Sequence, residues 1–178
     1  MRELWGRAGV RWVVALGMAF FAVGAPRAAP SDGVVGFDVR LGHPIMAAAV
    51  REALQGAFDR LGQERCQGVF TDFVDAAGRP LQDELDHRGQ TGQECLRRVH
   101  FRDGTTHRRC GRRSVMAVTS PGSPIVYVCP EAFWKWFRRG RLEVEATLIH
   151  EALHTLGLGE DPPPSREITA RVIRRCRR

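Results

Sequence analysis

His150-Glu151-Ala152-Leu153-His154-Thr155-Leu156-Gly157-Leu158-Gly159-Glu160 is the stretch that organises this chain. Residues four apart on a helix share a face, so the imidazoles of His150 and His154 come within reach of one ion. Glu151, directly after the first histidine, is placed to hold and deprotonate a water on that ion. The flanking apolar residues agree with a helix. Leu142, Ala146, Ile149 and Leu153 recur at helical spacing and predict a core-facing stripe on a helix from Arg141 to Leu156. The histidines fall roughly a third of a turn from that stripe. Gly157 is a natural stop, since glycine accepts the positive φ that closes a helix.

A catalytic zinc site commonly has three protein ligands and one open position. His150 and His154 supply two. A third must come from beyond the helix, and the turn at Gly157 can swing Glu160 back toward the pair. Asp161 and Glu167 are the rival carboxylates. One Zn2+ ion is the cofactor this pattern implies, with Glu151 as general base in metal-assisted hydrolysis.

Outward from the motif, Pro44 to Leu61 reads as a helix with Ile45, Val50, Leu54, Phe58 and Leu61 on one side and Gly62 at its end. Gly68 to Val74 and Leu96 to Phe101 are rich in β formers and predict strands. Residues 75–93 read as a surface loop or short helix. Ser114 to Thr119 and Ile125 to Cys129, split by Pro121-Gly122-Ser123-Pro124, predict a hairpin. Pro130 opens an amphipathic segment whose aromatics, Phe133, Trp134, Trp136 and Phe137, suit packing beneath the motif helix. Pro162-Pro163-Pro164 predicts a stiff extended bridge. Ser165 is placed to cap a last helix with Ile168, Val172 and Cys176 on one side. Helix, strands, motif helix and terminal helix together imply an α+β fold with a small, mostly antiparallel sheet.

At 178 residues the chain accommodates one domain plus a leader. Residues 1–29 read as a signal peptide: Arg2, Arg7 and Arg11, an apolar run from Trp12 to Gly24, then small residues to Ala29. The run is short for a membrane span, and an uncleaved anchor is the alternative. Residues 30–178 form the single remaining domain. The leader holds four Arg and one Glu, so three of the seven net positive charges go with it and +4 remains. Basic clusters such as Arg108-Arg109, Arg112-Arg113 and Arg138 to Arg141 offer a nucleic-acid or anionic-surface reading. Export and the modest remaining charge favour a solvated surface, so no nucleic-acid partner is expected. All five cysteines follow the leader, where disulfides are permitted. An odd count allows two bridges and leaves one thiol. A bridge at Cys176 would tie down the last helix.

His150-Glu151-x-x-His154-x-x-Gly157-x-x-Glu160 resembles the extended zinc motif of the metzincin metallopeptidases, within the wider zincin group. The resemblance spans about a dozen residues and implies His150 and His154 as ligands and Glu151 as base. Glu160 stands where that family usually has His or Asp. No methionine follows Met116, so the methionine turn of the family has no counterpart, and only 18 residues follow Glu160. The expectation is a minimal zincin-like domain, similar to small exported bacterial proteins assigned to the metallopeptidases. That implies a secreted or periplasmic zinc peptidase acting on a peptide or protein, with strand 125–129 as the edge that binds substrate by strand addition. Tyr127, the only tyrosine, and His100 and His107 are candidate oxyanion stabilisers, with packing or surface roles as the alternative. A zinc-stabilised secreted binding domain without catalysis is the competing reading.

Overall fold

Pro44–Leu61 forms the first helix, α1, with proline at its first turn, where the missing N–H costs nothing. Val50, Ala53, Leu54, Ala57 and Leu61 are fully buried along one side, whereas Ile45, expected on that side, is 61% exposed. The computed structural model describes residues 36–177, in a unit that spans Val34–Arg178. The expected signal peptide, residues 1–29, lies outside the described residues.

After α1 the chain departs from expectation. Residues 68–74 are not a strand. A helical turn, α2 (Glu64–Gln67), runs into a 3-10 turn at Gly68–Phe70. Val69, Phe70 and Phe73 are buried there, and Cys66 is bonded to Cys176. Packing beneath the last helix overrides the β propensity of the run. One isolated bridge, Val74 to Pro80, is all that pairs. The 75–93 region contributes α3 (Leu81–His87) and the start of α4 (Gly92–Arg97), which opens on a capping box between Thr91 and Glu94. That box, legible as Thr-x-x-Glu, ends the claim of 96–101 to be a strand: Leu96 is helical, and pairing starts only at His100.

Four strands make one sheet: β1 (Asp38–Arg40), β2 (His100–Asp103), β3 (Ala117–Val118) and β4 (Ile125–Val128), in the order β1-β2-β4-β3. β3 and β4 are the expected antiparallel hairpin, with Ala117 opposite Val128. The sheet as a whole is not mostly antiparallel, however. β1–β2 and β2–β4 are both parallel. The four helices between β1 and β2 form a long crossover, and such connections return the chain in its original direction. β1 is three residues long, too short to show an alternation. The order also corrects the expected substrate edge: β4 is interior, and the edge strands are β1 and β3.

The second half of the chain follows the sequence closely. α5 (Pro130–Phe137) buries Phe133 and Phe137 and leaves Trp134 at the surface. α6 (Arg141–Thr155) carries the motif and is buried on all sides from Val144 onward, with α1, α5, α7 and β3 around it. The triproline has cis bonds at Asp161–Pro162 and Pro162–Pro163 and is not a straight extended bridge. α7 (Ser165–Cys176) buries Ile168, Val172 and Cys176, as its spacing predicts. Its cap position is Pro164, and Ser165 makes no cap hydrogen bond. Arg60 of α1 pairs with the buried Glu145 of α6 and donates 2.7 Å to the Cys176 carbonyl, which ties three helices together. The result is an α+β domain. Among the described residues, no helix is long and apolar enough to cross a membrane.

Candidate metal centre

Three consecutive features of the chain build the site. The α6 helix brings His150 and His154 to one side, with Nε2 atoms 2.8 Å apart. Gly157, at φ +105°, ends the helix, and its N–H donates 2.9 Å to the His154 carbonyl. A side chain there would be strained and would press on Asp75. The returning chain then places Glu160 Oε1 3.7 Å from His150 Nε2 and 3.4 Å from His154 Nε2. Among the described residues these three form the group of His, Cys, Asp and Glu donors that converge within 4.8 Å. Glu167, a rival third ligand, pairs instead with Arg171 at 2.8 Å, and Asp161 is not in the group.

The donor set could hold a metal ion. Tetrahedral ligands at zinc distances of about 2.0–2.1 Å stand about 3.3–3.4 Å apart, and the three separations here are 2.8, 3.4 and 3.7 Å. The far nitrogens are also held. His154 Nδ1 lies 2.7 Å from the Leu158 carbonyl, and His150 Nδ1 lies 2.8 Å from the Thr169 hydroxyl of α7. A carbonyl only accepts, so His154 carries its proton on Nδ1 and turns a lone pair inward. If His150 does the same with Thr169, two lone pairs face each other across 2.8 Å, and a cation between them relieves the conflict.

Charge is arranged around this cluster. Hydrogen bonding to His150, with help from His154 and the Ser165 hydroxyl, holds the Glu160 carboxyl down at about 2, so it is an anion at neutral pH. Burial first, and the nearby His150 second, keep His154 below its ordinary value and therefore neutral. Both are the ligand-competent forms. Ser165 thus serves Glu160 and not the helix cap.

Glu151 borders the same cleft, beside the end of β3. Its side chain is buried, and Oε2 has no hydrogen-bond partner. Burial and repulsion from Glu160 push its carboxyl up to about 8, against a backbone hydrogen bond from Thr119 and the field of Arg109. An unpartnered carboxyl oxygen in a closed wall is costly unless something in the cleft engages it. The cleft itself holds about 1020 Å³ and is walled by 115–119 on one side and by Thr169 and Ile173 of α7 on the other.

Residues 150, 151, 154 and 160 are therefore brought together. The expected oxyanion stabilisers are not. Tyr127 stacks on His107 at 5.1 Å, and His100 bonds Asp38 at 2.8 Å. None of the three lines the cleft. Sequence reasoning missed Thr169, the Leu158 carbonyl and the cleft arginines Arg108, Arg109, Arg112 and Arg166. Of these only Arg108, Arg109 and Arg112 left a trace in the sequence, in basic clusters read as surface. Compared with protein-family models, with curated proteins and with solved structures, the chain matches none.

Proposed function

We propose that this protein is an exported zinc-dependent hydrolase, with peptide bonds as its substrate class. The observation that carries the reading is the pairing of two unlike features: three convergent donors on His150, His154 and Glu160, and the partnerless Oε2 of Glu151 in the adjoining wall. A purely structural ion has no use for the second. Bound zinc supplies Lewis-acid polarisation of a carbonyl and acidification of a water. Thr169 and Leu158 fix the orientation of the two imidazoles. Glu151 accepts the proton of the attacking water and returns it to the leaving amine, since its carboxyl borders the cleft and the cation's charge favours its ionised form. The edge of β3 offers unpaired backbone groups on which an extended peptide can add as a strand. Export is supported by two disulfides, Cys66–Cys176 and Cys110–Cys129, with Cys95 left as a buried thiol.

The test joins metal analysis to turnover. Purified protein should bind one zinc per chain, and His150→Ala or Glu160→Ala should weaken that binding at least about tenfold. Glu151→Gln should keep zinc and lose cleavage of a peptide library by about a hundredfold or more. Zinc bound without cleavage by the wild type leaves a zinc-stabilised binding domain. No zinc bound removes both readings.

A further inference from the structure

Arg108, Arg109 and Arg112 line the cleft on the side of β3, and Arg166 lines it from α7. Among the described residues none of the four is within ion-pair distance of a carboxylate. Eight arginines elsewhere in the fold do find such partners (40, 60, 79, 88, 102, 141, 171 and 175), while the other described ones outside the cleft are spread over the surface and not gathered in one cleft. The only acids in the cleft wall are Glu151 and Glu160; Glu160 belongs to the metal-ligand group, and Glu151 feels the field of Arg109 without forming an ion pair with it. The cleft therefore carries four arginines without an ion-paired carboxylate, outnumbering its two acids. Like charges held close repel, so an anion from outside is the natural complement.

The three arginines beside β3 are also held in place. They sit on and just after the 3-10 turn Arg108–Gly111. Cys110 in that turn is bonded to Cys129 at the end of β4. The Arg109 N–H donates 3.3 Å to His107 Nδ1, and the His107 ring stacks on Tyr127. The turn is thereby fixed to the sheet, which lowers the entropy lost when guanidinium groups engage a ligand. Guanidinium matches carboxylate in a two-pronged geometry that few other groups share.

Direction follows from chain order. The turn immediately precedes β3, so its arginines stand at the start of that strand. A peptide added antiparallel to β3 brings its C-terminal half to the start of β3. We propose that Arg108, Arg109 and Arg112 select substrates carrying a carboxylate on the C-terminal side of the cleaved bond, either an acidic side chain or the chain terminus itself. This rests on the peptidase reading but is testable apart from it.

Binding is read by fluorescence anisotropy on full-length protein with zinc and with Glu151→Gln to stop turnover. The probes are labelled ten-residue peptides with Glu, Gln or Lys at two positions of the C-terminal half, each with a free or amidated terminus. The Glu or free-terminus peptide should bind about tenfold tighter than its neutral counterpart. A Glu-dependent gain assigns the carboxylate to a side chain, and an amidation-dependent loss assigns it to the terminus. The gain should vanish in Arg108→Gln/Arg109→Gln/Arg112→Gln and persist in Arg97→Gln/Arg98→Gln/Arg138→Gln, which removes equal charge outside the cleft. Equal binding of all peptides overturns the proposal, as does a preference that survives the cleft variant. A single-stranded oligonucleotide that binds more tightly than any peptide through the same arginines also overturns it. Carboxylate-selective binding without cleavage by the wild type would remove the peptidase reading alone, whereas cleavage with no carboxylate preference removes only this inference.

Discussion

Glu151 carries the strongest electrostatic conflict in the site, and that conflict has a pH signature. Without metal its carboxyl is held up at about 8, from an ordinary value of 4.5, chiefly by burial. Between those values the unfolded chain is ionised while the folded chain keeps the proton, so folding is favoured less as pH rises. The contribution is fully present below pH 4.5 and gone above about 8, at roughly 1 kcal/mol per pH unit between. Urea unfolding in the presence of chelator should show this fall in the wild type and not in Glu151→Gln; the difference between the two isolates Glu151 from His154, which shifts in the opposite sense. Parallel pH dependences for both proteins would sink the assignment. Zinc should flatten the wild-type curve, because a nearby cation favours the carboxylate. The other residue of consequence is Thr169, whose hydroxyl is the partner of His150 Nδ1. Thr169→Val should weaken zinc binding about 10–100-fold in competition with a chelating dye, with little loss of fold.

At the scale of elements, the turn after α6 decides whether a third ligand exists. Gly157→Ala should cost at least about 1 kcal/mol, because φ there is +105°, and should also loosen zinc by displacing the Leu158 carbonyl and Glu160. Thermal melts with and without zinc read both effects, and an unchanged zinc-induced shift would show that Glu160 does not depend on this turn. That turn was legible in the sequence, as were α1, the hairpin and α7, because each has either long periodicity or a glycine or proline marking its end. The run 68–74 was not legible, since its β formers pack as a turn against α7 and burial there outweighs propensity. The parallel pairings were hidden for a different reason: β1 is three residues with no pattern, and pairing direction is set by crossovers that local sequence does not encode. The metal ligands could be read because their chemistry sits on one helix and one turn. The cleft arginines could not be placed, because what brings Arg109 near Glu151 is the packing of β3 against α6 and of the 3-10 turn against β3, contacts that local sequence does not encode.

For the molecule as a whole, the site is assembled from parts that share one fastening. α6 supplies the histidines, but α7 supplies Thr169 and one wall of the cleft. α7 is fastened at its C-terminal end, by Cys66–Cys176, by Arg60 reaching the Cys176 carbonyl, and by Arg175 on Asp72 at 2.6 Å. The bridge closes a sequence separation of 110 residues. A loop of that size should make its loss costly, about 3–5 kcal/mol, through the entropy regained by the unfolded chain. If the bridge acted only on the unfolded state, zinc affinity of the folded protein would not change. The fastening geometry argues for more. Freeing the end of α7 lets its first turns move, and with them the Thr169 hydroxyl that orients His150. Cys66→Ser/Cys176→Ser should therefore lower both the urea midpoint and the zinc affinity of protein that is still folded, the latter about tenfold. The zinc-dependent gain in stability then shrinks at fixed zinc concentration, since it scales with the logarithm of concentration over Kd. Unfolding curves with graded zinc separate the two effects. A lower midpoint with an unchanged zinc-dependent gain would mean that α7 holds the site without its bridge, and that the bridge serves folding alone.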